Sequence, residues 1–556
     1  MSYFTILSVF LLYWLLVIYL DKRGTLSKYN ITAYGPILMI RTQRGQRFLD
    51  KLSIHKKFWR IFANIGLPAM LTGMLVMFIL ILFIDYSIIT SFQTETVPHP
   101  GKFNEPRNIF LIPGINEYIP FAWGIIALVV TLMVHEFSHA ILCKVEGIRV
   151  KSMGILLALI PIGGFAEPDE EQLLGKKEDT GEKDVEPKAT RNQRIRILTS
   201  GVMANFVTAL IAFILFFSLL GSISPVGDVM VTGVTPGSQA DLAGVKQNMI
   251  LTKINDKQID NAHDAFTYTS SLQPGSNVTL NLIDKSEEKE ISFTITADTR
   301  ITEGVRVSDV VPASPAEAAG IKPGMVLVRV DSTEIRGLED FVRFMESTEP
   351  GQKIDVYMLS NSSESASTEV FENIELSAYP YDRNAKKGFL GISYGGGAEI
   401  GPLGIGIGEF GANEFLGMLK GIPSSLTGFR GWILLFSLPI IGLAGEGFPG
   451  FSGLIVHFYE PVGWAALLGD GTFWILNILM WIGWMNFYVG LFNCLPAVPL
   501  DGGHVFRDVM TSSLSRIIGN GEKVERLSNA IVILFALTIL MSFIFVIIAP
   551  YAAHGF

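Results

Sequence analysis

Six stretches of this chain are apolar on all helical faces: roughly 3–20, 61–84, 120–143, 197–220, 472–492 and 527–549. Each is close to the ~20 residues a helix needs to cross a bilayer. A seventh, 428–443, is interrupted by Pro439 and followed by a glycine-rich run, which predicts a re-entrant or interfacial piece and not a full crossing. Between the fourth and fifth spans the period changes. Short alternating runs rich in β-branched residues, punctuated by turn residues, predict β-rich domains there. The expected fold class is a polytopic α-helical membrane protein of about six spans plus re-entrant elements, with two α+β domains inserted.

Composition agrees. Hydrophobic residues are 49% of 556 and the mean hydropathy is +0.40, too apolar for a soluble chain of this length. The formal charge of −9 leaves no basic footprint and argues against nucleic acid as a partner. The two cysteines, Cys143 and Cys494, both lie in apolar segments, so they read as small buried hydrophobes and not as a disulfide framework. Basic residues crowd 21–60 and 144–196, whereas 85–118 holds only Lys102 and Arg107. Lys and Arg favour the cytoplasmic side, so the chain is expected to start outside and to carry its β-rich region on the extracytoplasmic side of the cell membrane. The first span has no basic residue before it and no small-residue cleavage site, which predicts a retained anchor. The linker 167–193 mixes both charges with Gly and Pro and reads as mobile, and Asn277 and Asn361 lie in N-x-[ST] sequons.

The β-rich region is duplicated. Val234, Pro236, Ser238, Ala240, Ala243, Gly244 and Met249 recur in constant register as Val310, Pro312, Ser314, Ala316, Ala319, Gly320 and Met325. Residues 226–298 and 302–378 are thus two copies of one domain. Each resembles bacterial-type PDZ domains, which implies that extended peptides or C-termini add a strand to a sheet edge.

The third span carries His135-Glu136-Phe137-Ser138-His139. Positions i and i+4 share a helix face, so both imidazoles can reach one metal ion, and Glu136 lies beside them to polarise a water. Such residues are costly in hydrocarbon without a function. Catalytic zinc usually takes three protein ligands. The best third ligand is Asp501, in the run Asn493-Cys494-Leu495-Pro496-Ala497-Val498-Pro499-Leu500-Asp501-Gly502-Gly503, where Pro496 and Pro499 must end the preceding helix. Both segments are expected toward the cytoplasmic side, so they can meet.

On these residues the chain resembles the site-2 protease family of intramembrane zinc metalloproteases, over roughly 115–515. H-E-x-x-H stands at His135, Glu136 and His139. N-x-x-P-x-x-P-L-D-G-G stands at Asn493, Pro496, Pro499, Leu500, Asp501, Gly502 and Gly503. A central G-x-x-x-N element stands at Gly201 and Asn205, with Val202 where proline is common. The resemblance implies one zinc ion per chain on His135, His139 and Asp501, Glu136 as general base, and Asn493 as donor to the developing oxyanion. Asn205 is expected to position substrate or pack the core. The Gly/Pro-broken stretch 151–166, with Gly163 and Gly164, resembles the family's membrane-embedded β-hairpin, whose edge would hold an unwound substrate.

The implied organisation is an N-terminal helix pair and cytoplasmic loop at 1–110, which the minimal family core does not need, and a first protease half at 115–222. The two PDZ-like copies follow, then a re-entrant region with the second protease half at 388–515 and a C-terminal helix at 527–549. The implied activity is cleavage of transmembrane segments of single-span anchored proteins within the lipid bilayer. Two other readings remain: an inactive scaffold that recruits extended peptides, and a transporter with a buried carboxylate and histidines. The scaffold has no use for Glu136, and the transporter calls for inverted repeats among the spans, which the sequence does not display.

Overall fold

The computed structural model describes residues 3–42, 46–94, 96–98, 100–101, 104–109, 112–158, 160–169, 172–173, 188–234, 238–273, 275–285, 287–294, 304–307, 309–311, 314–322, 325–335, 338–360, 367–378, 387–393, 399–400, 403–441 and 447–555. Most of the 167–193 linker and the Asn361 sequon lie outside them. The chain forms two units, one of Met1–Leu220, Ser424–Gly450 and Trp474–Phe556, the other of Gly221–Pro423 and Phe451–Phe473.

The first unit contains helices α1 (Tyr3–Lys22), α2 (Gln46–Leu52), α3 (Lys56–Gln93), α4 (Phe121–Glu146), α5 (Arg191–Leu220), α6 (Phe429–Ile441), α7 (Gly471–Asn493), α8 (Asp501–Ser515) and α9 (Gly521–His554). Among the described residues five helices are long and apolar enough to cross a membrane: α3, α4, α5, α7 and α9. Five of the six expected spans are among them. The remaining segment, 3–20, is helical as α1 but is not among those five. The 428–443 segment forms α6, at 13 residues too short to span ~30 Å of hydrocarbon. Leu210, Ile211, Ile214 and Leu215 on α5 are exposed, as are Ile533, Leu534, Leu537 and Leu540 on α9. Lipid-facing helices wear their apolar side outward in this way.

α4 buries one stripe, Gly124, Ala127, Thr131, His135, Ser138 and Leu142. The spacing of three to four residues keeps these positions on a single face. Gly147 ends the helix with φ 78°, and Ile148 N–H closes on the Cys143 carbonyl, a left-handed cap that suits glycine. At this end Glu146, with its side chain only 1% exposed, is held by Arg60 of α3 at 3.0 Å and Arg196 of α5 at 3.2 Å.

Strands β1 (Ile31–Tyr34), β2 (Ile37–Thr42), β3 (Val150–Ala158) and β4 (Ile160–Pro168) form one antiparallel sheet in that order. The hairpin expected at 151–166 is therefore only half of it. β2, from the N-terminal segment, pairs Leu38 with Leu157 and Thr42 with Met153. A Cβ on Gly154 would lie 2.0 Å from the Ile40 carbonyl oxygen, so that glycine permits the approach. Leu49 of α2 is fully buried beside Ala140, Ile141 and Leu142 of α4. Residues 1–110, given no role from sequence, thus contribute a strand and a core residue to the elements around α4.

In the second unit the two copies repeat the same local device. Ser238 Oγ accepts from Asp241 N–H ahead of helix Gln239–Ala243, and Ser314 Oγ accepts from Glu317 N–H ahead of Pro315–Ala319. Gly244 (φ 93°) and Gly320 (φ 87°) end these turns. The first copy does not close at 298. Strand Ile405–Glu409 pairs antiparallel with Val229–Val234, and Leu403, Ile405 and Ile407 join the core of Val231, Leu251 and Leu280. The second copy likewise takes Leu390 and Ile392 into its core, beyond 378. The second copy is thus inserted into the first.

Candidate metal centre

α7 stops at Asn493, and the chain turns through 494–500 before α8 starts at Asp501. Two glycines make that turn possible. A Cβ on Gly502 would lie 2.3 Å from the Cys494 carbonyl oxygen, and one on Gly503 would lie 2.4 Å from the Ala497 carbonyl carbon. The first turn of α8 therefore lies directly on the loop behind it, and Asp501 projects from the helix start.

Asp501 meets α4 there. Its Oδ2 lies 3.2 Å from Nε2 of both His135 and His139, and the two Nε2 atoms are 3.1 Å apart. The three side chains are 14%, 8% and 12% exposed. Among the described residues they are the only group of three or more His, Cys, Asp or Glu side chains whose donor atoms converge as metal ligands would. A tetrahedral ion with bonds of ~2.0–2.1 Å has ligands about 3.3 Å apart, close to these separations. Oδ2 of Asp501 is buried with no hydrogen-bond donor. Three lone-pair atoms that face one point, one of them otherwise unsatisfied, fit a cation.

The wall behind the rings is α5. His139 Nδ1 lies 2.7 Å from the Ile197 carbonyl oxygen, so its N–H donates there and Nε2 keeps its lone pair. A Cβ on Gly201 would lie 2.4 Å from His139 Nε2 and 2.8 Å from His135 Cε1, so no larger residue fits between rings and helix as they stand. Asn205 is 0% exposed, and its amide nitrogen lies 3.2 Å from His135 Nδ1. Ser138 Oγ donates to the Ser200 carbonyl at 2.9 Å, which fixes α4 against α5. Arg194 of α5 grips Asp508 of α8 with two bonds, 2.8 and 3.1 Å, tying the Asp501 helix to the same wall.

The other residues singled out from sequence lie as follows. Glu136 accepts the Ala166 N–H of β4 at 2.8 Å. Gly164 and Gly163 pair with Ile155 and Leu156 across the hairpin. Asn493 is half-buried and donates its amide to the Val489 carbonyl one turn back, at 3.1 Å. Cys143 and Cys494 are free, buried and outside the ligand group. His504 is partly buried, its Nδ1 has no partner, and burial together with Arg507 holds its pKa down. Sequence reasoning missed Ile197, Arg194 with Asp508, and the Ala166 N–H. A backbone group carries no sequence signal, but Asp508 does: it lies two helical turns after Asp501, on the same face.

The model of peptidase family M50 matches residues 123–539. Over 283 residues the chain is 29% identical to an uncharacterized protein of Methanocaldococcus jannaschii, covering 50% of this chain and 68% of that one. It is 23% identical over 429 residues to protease RseP of Yersinia pestis, covering 68% and 88% respectively. It is also 23% identical over 439 residues to a regulator of sigma E protease of Haemophilus influenzae, covering 69% and 90%.

Proposed function

This chain belongs to peptidase family M50, and on that footing we propose that it is an intramembrane zinc endopeptidase that cuts the transmembrane anchors of other membrane proteins. The observation that carries this reading is the convergence of His135, His139 and Asp501 from two helices onto one point. These three residues would hold the ion. Zinc there supplies Lewis acidity toward a peptide carbonyl and a water. Glu136 takes a proton from the attacking water and returns it to the leaving amine. Asn493 has a second amide hydrogen beyond the one given to Val489, and that hydrogen serves the developing oxyanion. A helical substrate hides its carbonyls in its own hydrogen bonds and must unwind first. The β4 segment with Gly163 and Gly164, which leads to the Ala166 N–H beside Glu136, supports a role in holding it extended. The PDZ-like pair governs which substrates are accepted, and the distribution of basic residues supports its placement on the extracytoplasmic side.

The test is metal analysis of detergent-purified protein together with cleavage of a single-span anchor in liposomes. One zinc per chain, cleavage abolished by a chelator and restored by zinc, and neither in Asp501→Asn is the expected result. Cleavage that survives both the chelator and Asp501→Asn overturns the reading.

A further inference from the structure

We propose that Asn205 is a positioning residue of the metal centre: its side-chain oxygen accepts the Nδ1 hydrogen of His135 and so leaves Nε2 of that ring free for the ion. The assignment rests on the metal reading above. α5 presents Ile197, Gly201 and Asn205 at positions i, i+4 and i+8, one face of one helix, to the two rings, with Ile197 and Asn205 each against an Nδ1. Ile197 serves His139 through a carbonyl, which can only accept. His135 has no carbonyl in the equivalent place; the amide of Asn205 stands there, 3.2 Å from Nδ1.

A second observation fixes which end of that amide does the work. Its nitrogen faces the ring, while its oxygen is buried with no partner on a residue that is 0% exposed. An imidazole that gives Nε2 to a metal carries its hydrogen on Nδ1. That hydrogen cannot bond to an N–H. A half-turn of the amide about the Cβ–Cγ bond exchanges its two ends, puts the orphaned oxygen on the ring hydrogen, and gives both a partner. Full burial argues against substrate contact, and packing alone would be served as well by leucine.

The experiment measures zinc affinity of the full-length protein in detergent by competition with a chromogenic chelator, for wild type, Asn205→Leu, Asn205→Asp and His135→Ala. Asn205→Leu is expected to weaken zinc by ~10–100-fold. Asn205→Asp, which can only accept, is expected to stay within about threefold of wild type or to bind more tightly. Thermal unfolding of the metal-free proteins reads any packing defect separately, and if Asn205→Leu does not fold, Asn205→Asp decides alone. Wild-type affinity in Asn205→Leu while His135→Ala has lost zinc overturns the assignment, as does a loss beyond about tenfold in Asn205→Asp. A wild type that binds no zinc overturns the metal reading itself and takes this assignment with it.

Discussion

The membrane unit and the β-rich unit bury different kinds of polar residue. Among the described residues, the buried polar side chains of the two β-rich copies are hydroxyls: Ser238, Thr269, Ser314 and Thr348. Those of the membrane unit include His135, Glu146, Asn205, Asn477, Asn486 and Asp508. A water-soluble core is assembled by exclusion of apolar surface, and a hydroxyl inside it needs only a nearby carbonyl or a helix start to cap. In lipid every apolar helix face is much like another, so hydrogen-bonding groups and close small-residue contacts settle which helices meet. Here Arg194 with Asp508, Ser138 with Ser200, and Glu146 with Arg60 and Arg196 do that, and they converge on the helices that carry His135, His139 and Asp501.

The contrast can be broken by substitution. The largest effect is expected from Glu136→Gln, which should cut turnover of a membrane-embedded substrate by ~10²–10⁴-fold with zinc content unchanged; normal turnover in the zinc-loaded variant removes the base assignment. Next comes Arg194→Ala, which strands a buried carboxylate and should lower stability by ~3–5 kcal/mol, read as thermal unfolding of the detergent-solubilised chain. The exchange Arg194→Asp with Asp508→Arg should recover a large part of that loss, and no recovery would mean the pair acts through packing and not through charge. Gly201→Ala should weaken zinc by ~10–100-fold, because the added methyl displaces rings that must stay in place; zinc titration at unchanged affinity would show that α5 can retreat. The smallest effects sharpen the other side of the comparison. Ser238→Ala and Ser314→Ala should each cost about 1 kcal/mol of the β-rich unit's stability, as lost helix caps do, seen in calorimetry of the full chain. A several-fold larger loss from either would mean that its hydroxyl does more than cap a turn.

The parts legible in the sequence were those with a fixed local period. H-E-x-x-H, the spans and the repeat all show themselves within a few turns or one copy length, and the prolines of the 493–503 run marked the place from which Asp501 reaches the two histidines. Pairings between distant segments were not legible. β2 joins β3 from more than a hundred residues away, and strand Ile405–Glu409 joins Val229–Val234 across the whole second copy. A strand's alternation says that one face is buried, not which neighbour it takes. The same limit applies to Asn205 and Asn493: the motif marks the positions, but whether an amide faces a ring or its own helix depends on side-chain rotation.

The nested arrangement of the β-rich unit constrains how the protein is made. During synthesis the inner copy has all its core strands once Ile392 has emerged, while the outer copy still waits for Leu403, Ile405 and Ile407. Maturation must run from the inside out, with the first-translated half kept open until the later one is finished. A ribosomal pause between 393 and 403 would leave the outer sheet exposing the bare edge of Val229–Val234, the kind of edge on which unfinished chains aggregate or chaperones bind.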